Sequence, residues 1–276
     1  MLFLKTLSLK QKTQDDNLFP LNLPLFGPDF HLELTTPVTL LVGENGSGKS
    51  TLLEGLAVAA ERVVAGADEL ADDESLPAAR LLASHLRLSW SKRTSRGFFL
   101  RAEDFFGYCR RLNRMHHELV AEAEELNSDY RAQGRTGLGL SLALGALKGQ
   151  AAHLKQQYET LEFRSHGESF LQFFADRLIP EGFYLLDEPE TPLSPQNQLA
   201  FLAVLKSAVR EGSQFVIATH SPILMAYPGA RIFDLDQIPP QVASYDQLEH
   251  VTLTRRFLNN PEAYLGPLFR SEDTNK

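Results

Sequence analysis

A chain of 276 residues, 43% hydrophobic and 22% charged, can bury the core of one large α/β domain, or of a domain carrying one sizeable insertion. A formal net charge of −8 argues against a protein whose whole surface grips nucleic acid, although a local basic patch stays compatible with it. The single cysteine, Cys109, excludes an internal disulfide and fits a reducing compartment, as buried filler rather than a nucleophile.

Residues 1–10 are mostly apolar but interrupted by Lys5 and Lys10. They lack the long apolar run and small-residue cleavage site of a signal peptide, and read as an opening strand. No run of about 18 apolar residues occurs anywhere, so no transmembrane helix is expected and the chain reads as cytoplasmic. From Phe30 the pattern alternates and then becomes continuously apolar at Val38-Thr39-Leu40-Leu41-Val42, a buried strand bounded by Pro37 and Gly43. Helical periodicity follows over residues 50–64. Between strand and helix lies Gly43-Glu44-Asn45-Gly46-Ser47-Gly48-Lys49-Ser50, which matches G-x-x-x-x-G-K-[ST] in the context that pattern requires. Its glycines let backbone N–H groups converge on phosphate oxygens, and the helix adds its positive N-terminal end. In that arrangement Lys49 bridges the β- and γ-phosphates and the Ser50 hydroxyl ligates Mg²⁺.

Residues 66–79 are acidic and read as a solvated loop. Leu86–Trp90 and residues 97–100 read as two strands around a basic turn that contains Lys92, Arg93 and Arg96. Residues 102–133 form a long, charge-laced helical stretch. Residues 134–149 are punctuated by Gly134, Gly137, Gly139, Gly145 and Gly149 and read as a mobile segment, with helical pattern resuming over 150–163. The stretch 102–164 is therefore a mostly helical insertion. A helix over 168–178 follows, then the apolar strand Phe183-Tyr184-Leu185-Leu186. This strand delivers Asp187 and Glu188 at its C-terminal edge, where open α/β sheets bind ligands. Asp187 is the candidate to hold Mg²⁺ through water, and Glu188 the candidate general base that orients the attacking water. A helix over 195–210 precedes the next buried strand, residues 215–218, which is followed directly by Thr219-His220-Ser221-Pro222. Parallel neighbours end on one edge, so His220 can reach a γ-phosphate or the attacking water. Residues 231–235 read as another strand, 247–258 as a helix and 271–276 as a frayed tail. Strands alternating with helices indicate a mostly parallel sheet covered on both faces.

The three motifs, in this order, resemble the Walker A, Walker B and switch-histidine elements of ABC-type ATPases. More narrowly, they are similar to the soluble RecF-like and OLD-like predicted ATPases. The resemblance spans residues 38–224 and implies a P-loop NTPase core at 1–101 and 165–276, interrupted by a helical lid at 102–164. It also implies binding and hydrolysis of ATP with Mg²⁺, Walker A contacts from residue 43 through Thr51, and a homodimer that closes on ATP. Arg164-Ser165-His166-Gly167-Glu168-Ser169 resembles the family's signature, so Ser165 and Gly167 are expected to contact the nucleotide of the partner subunit. The client is expected to be a protein or a nucleic acid. A transporter's nucleotide-binding subunit and a DNA-dependent repair or defence ATPase are the alternatives. The latter would use a basic strip of Lys92, Arg93, Arg96, Arg101, Arg110, Arg111 and Arg114.

Three positions depart from the family pattern. Ser194 stands where transporters usually carry Asp, Glu103 is offered in place of the Q-loop glutamine, and Phe19 and Phe30 compete as the adenine-stacking aromatic.

Overall fold

The computed structural model describes residues 2–10, 18–64, 76–132, 138–162 and 166–270. Ser165 and the acidic residues 66–74 lie outside the described residues, as does the tail 271–276.

The chain opens with β1 (Leu4–Leu9), β2 (His31–Glu33) and β3 (Val38–Val42), and α1 (Lys49–Ala59) leads to the short β4 (Val63–Val64). Then come α2 (Leu76–His85), β5 (Leu86–Trp90), β6 (Phe98–Arg101), α3 (Ala102–Ala132) and α4 (Leu138–Glu162). The second half holds α5 (His166–Arg177), β7 (Phe183–Asp187), α6 (Pro195–Arg210), β8 (Gln214–Ala218) and α7 (Pro222–Met225). It ends with β9 (Arg231–Asp234), β10 (Gln241–Ala243), α8 (Glu249–Asn259) and α9 (Pro261–Arg270).

The main sheet runs β10-β9-β3-β8-β7-β6-β4, with every pair parallel except β9–β10. A smaller antiparallel sheet runs β2-β1-β5. The mostly apolar, wholly buried sequences of β3, β7 and β8 follow from their central positions, because side chains alternate between two covered faces. Leu41, Phe183, Leu185 and Val216 enter a core shared with α1 and the small sheet. Leu40, Val42, Tyr184, Leu186, Phe215 and Ile217 enter a second core under α5, α6 and α8. Gln214, fully buried in β8, ties the two sheets together: its Oε1 accepts from the amides of Phe3 and Leu4 at 2.7 and 3.0 Å, and its Nε2 donates to Leu4 O at 2.9 Å.

Several sequence expectations shift. Leu86–Trp90 and residues 98–101 are strands but not a hairpin; β5 joins the small sheet and β6 the large one, so the basic turn connects two layers. The first helix stops at Ala59, because Glu61 takes a left-handed conformation and the chain turns into β4. The expected mobile segment contains, over 138–149, the first half of α4. Glycine lowers helix propensity only modestly, and packing of α4 along α3 overrides it. Residues 133–137 lie outside the described residues.

Candidate functional site

Parallel pairing brings the C-terminal ends of four strands to one rim. Arg101 of β6 is level with Asp187 of β7, Asp187 with Ala218 of β8, and Ala218 with Leu41 of β3. The loops that leave this rim carry all three sequence motifs.

The loop from β3 into α1 holds Gly43, Gly46 and Gly48 at positive φ, with Gly48 as the N-cap of α1. Asn45 and Ser47 lie within it, while Ser50 and Thr51 fall in the first turn of the helix. Lys49 is buried, and its Nζ donates to Gly43 O and Glu44 O, both at 2.8 Å. Burial lowers its pKa, and the carboxylates of Glu188, Asp236, Asp187 and Glu44 pull the other way. Asp236, just beyond β9, accepts from the Glu44 amide through both carboxylate oxygens at 2.9 Å.

Asp187 ends β7 in an almost closed environment that raises its pKa to about 7. Burial is the main cause. A hydrogen bond with the Ser50 side chain and the charge of Arg101 oppose the rise, while Glu188 and Glu54 add to it. Its Oδ1 is buried with no hydrogen-bond partner among the described residues. Glu188 follows in a left-handed backbone conformation (φ 47°), its amide held by Ala218 O at 3.0 Å, which turns its side chain out of the strand register. Glu188 Oε1 lies 3.5 Å from His220 Nε2. The His220 pKa is lowered, first by burial and next by the positive charge of Lys49, with Glu188 opposing. Lys49, Ser50, Asp187, Glu188 and His220 therefore lie within electrostatic reach of one another.

Sequence reasoning missed Asp236 and three further groups around these five. Glu190 Oε1 accepts from Thr219 Oγ1 and the His220 amide at 2.7 Å and from the Ser221 amide at 3.1 Å, so the loop after β7 grips the loop after β8. Burial raises the Glu190 pKa against these bonds. Arg101, counted above in the basic strip, instead turns inward: it pairs with Glu54 at 2.6 Å and lies over the Phe99 ring at 5.3 Å. His250 of α8 reaches His220 at 3.4 Å. Only Glu190 had a local cue, its place two residues after Glu188.

Residues 23–66 match a family described as "AAA domain", and residues 165–226 one described as "AAA domain, putative AbiEii toxin, Type IV TA system". A "Probable anion import ATP-binding protein" of Haloferax volcanii is 29% identical over 193 residues, covering 66% of this chain and 62% of that protein. A cobalt import ATP-binding protein of Salmonella typhimurium is 28% identical over 132 residues, covering 44% of this chain and 48% of that protein. The two family matches frame β3–α1 at one end of the motif series and β7–β8 at the other. Together these matches support an ABC-type P-loop ATPase. It spans less than two thirds of the length of these two curated relatives. Among solved structures, an SMC head domain from Thermotoga maritima aligns at a TM-score of 0.37 and 16% identity, covering 84% of this chain and 94% of that one.

The remaining expected positions are less alike in their surroundings. Gly167 is buried near the start of α5, where a Cβ would meet Asn197 Nδ2 at 2.5 Å and Pro192 O at 3.0 Å, so glycine permits close packing against the start of α6. Ser194 is the N-cap of α6, its Oγ accepting from the Asn197 amide at 3.3 Å. Phe30 is a core residue packed edge-on against Phe26, which removes it as an adenine platform, whereas Phe19 is exposed. Glu103 lies in the first turn of α3. Among the described residues no helix is long and apolar enough to cross a membrane.

Proposed function

We propose that this chain binds Mg²⁺·ATP on the β3–α1 loop and hydrolyses it, and that two copies close around two nucleotides. The observation that supports this best is the convergence of Lys49, the Ser50–Asp187 pair, Glu188 and His220 at one sheet rim. The loop amides and Lys49 orient the triphosphate, with Lys49 exchanging its two carbonyl partners for phosphate oxygens. The unpartnered Oδ1 of Asp187 and the Ser50 hydroxyl fit a hard, oxygen-seeking divalent cation. When bound, that cation neutralises charge that develops on the phosphate oxygens. Glu188 takes a proton from water as the water oxygen bonds to the γ-phosphorus and the bond to the β-phosphate oxygen breaks, giving ADP and phosphate. His220, neutral near pH 7, orients that water or the γ-phosphate.

In the closed dimer, Ser165, which lies outside the described residues, and Gly167 in the first turn of α5 of one copy face the nucleotide held by the other. The α3–α4 hairpin then forms a lid over residues 102–164 that meets a protein or nucleic-acid client. The test is nucleotide binding and turnover by the purified chain. Lys49→Ala should abolish binding of ATP, and Glu188→Gln should accumulate an ATP-bound dimer. An unchanged hydrolysis rate in Glu188→Gln would remove Glu188 as the base. The import proteins among the relatives favour a second reading, the energising subunit of a membrane transporter. Stable co-purification with a hydrophobic membrane protein would establish it over a free-standing dimer.

A further inference from the structure

The γ-phosphate side of the site contains a second histidine, His250, brought there by a C-terminal helix that no motif covers. Its Nε2 is 3.4 Å from Nδ1 of His220, the two rings are 5.4 Å apart and inclined at 55°, and the same Nε2 is 3.7 Å from Oε1 of Glu44 in the nucleotide-binding loop. Leu248 and Val251 on either side of it are buried in the second core, so α8 offers this ring from a fixed base. The Glu190 carboxylate already fixes the backbone of His220. What stays free is the rotation of the His220 ring and the nitrogen on which its proton sits.

The contacts decide that question. Nε2 of His220 faces the Glu188 carboxylate at 3.5 Å, and an ionised carboxylate only accepts. Nε2 is buried there without a hydrogen bond among the described residues, so the pair interacts by charge alone, and the negative carboxylate favours the form that turns an N–H toward it over one that turns a lone pair. In a neutral imidazole the other nitrogen is then an acceptor, and burial together with Lys49 keeps this ring neutral. A donor must therefore approach Nδ1, and Nε2–H of His250 is at that position. We propose that His250 is a positioning residue that donates Nε2–H to Nδ1 of His220, thereby holding the Nε2–H form of His220 toward Glu188 and the γ-phosphate. The inference rests on the ATPase reading above for its catalytic consequence, but not for the tautomer.

Two measurements on the full chain test it. Long-range ¹H–¹⁵N correlation spectra of the unmutated, nucleotide-free protein should show His220 as the Nε2–H tautomer, and His250→Ala should weaken that preference by removing the donor to Nδ1 and leaving only the Glu188 charge to favour it. An Nδ1–H His220 in the unmutated chain overturns the inference whether or not ATP is hydrolysed and whether or not any variant folds. In steady-state turnover His250→Ala should lower kcat about tenfold while KM for ATP changes less than about twofold. His250→Gln, whose amide nitrogen can donate at similar reach, should recover most of the rate. His220→Ala/His250→Ala should be no slower than His220→Ala alone, because His250 acts through His220. Multiplying losses in the double variant, or full turnover by His250→Ala, would sink the proposal while leaving the ATPase reading intact. An unmutated chain that neither binds nor hydrolyses ATP would sink that reading instead, with the tautomer still deciding the inference.

Discussion

Asp187→Asn should make the nucleotide-free protein more stable at alkaline pH while abolishing turnover. Asp187 is buried, and its carboxyl rises from the ordinary 3.8 to about 7 because burial disfavours the charged form. Below about pH 4 the group is protonated whether the chain is folded or not and contributes no pH dependence. Between about pH 4 and pH 7 the folded protein holds a proton that the unfolded chain has released, so stability falls as pH rises through this window. Above about pH 7 the full cost is present, at most ~4 kcal/mol at 1.36 kcal/mol per pH unit. Asparagine keeps the shape and an acceptor for Ser50 without the charge. The expected gain at about pH 8 is therefore ~2–4 kcal/mol, shrinking towards zero near pH 4. With a urea slope of about 3 kcal/mol per molar, that is a midpoint shift near 1 M, read by circular dichroism in the presence of a chelator. A midpoint difference equal at both pH values, or an asparagine variant less stable at pH 8, would refute the reasoning. The gain would identify Asp187 as a residue held at the expense of stability.

Gly97→Ala should destabilise the fold by about 3 kcal/mol in chemical denaturation, because Gly97 has φ +117° and a Cβ would overlap the backbone of Phe183; a loss below about 1 kcal/mol would contradict the close approach. Gln214→Leu should cost about 3 kcal/mol or more, since the amides of Phe3 and Leu4 and the Leu4 carbonyl lose their buried partner. Hydrogen exchange should show both amides unprotected; retained protection would mean another acceptor takes over. Glu190→Ala should cut kcat at least about tenfold by freeing the loop that carries His220, and Glu190→Gln, which keeps an accepting oxygen, should lose much less. Equal losses in the two would point to the charge of Glu190 rather than to its grip on the loop.

The parts of the site legible in the sequence are those whose chemistry and fold signal coincide locally. The β3 strand, the glycine loop and the α1 helix follow one another within about 25 residues, and the apolar runs ending at Asp187 and Ala218 announce buried parallel strands. What escaped depends on contacts between distant positions. Asp236 meets the Glu44 amide across 192 residues, and His250 meets His220 across 30, with no spacing rule to announce either. Arg101 reads in the sequence as part of a basic strip, yet Glu54 of α1 draws it inward. Helix α2 begins directly after an acidic stretch, and α9 carries Pro267 inside it, so local composition argued against both. The glycines of α4 misled for the opposite reason: propensity is a weak prior where a helix has a partner to pack on.

The placement of Glu188 against His220 is a property of sheet register rather than of either motif. Each residue follows the end of its own strand, and β7 and β8 share four further pairings below Asp187–Ala218. A slip by one residue would send Asp187 to the opposite face of the sheet and carry every core side chain of the strand with it. The pair Tyr184–Phe215, stacked at 5.1 Å with the rings 20° apart, opposes such a slip. The Tyr184 hydroxyl is fixed as well, donating to Ile179 O at 2.8 Å while accepting from the Ile179 amide at 2.7 Å. These aromatics lie at the other end of the strands from the carboxylates, where they touch no substrate. Their packing sets the relative height of the two loops, and the Glu188 amide bonded to Ala218 O carries that height one residue further, into the site. Tyr184→Ala should therefore reduce turnover as well as stability, and lowering the temperature to restore the fold should not restore the full rate. Complete recovery of rate with fold would show that the loops hold their own geometry without the strands beneath them.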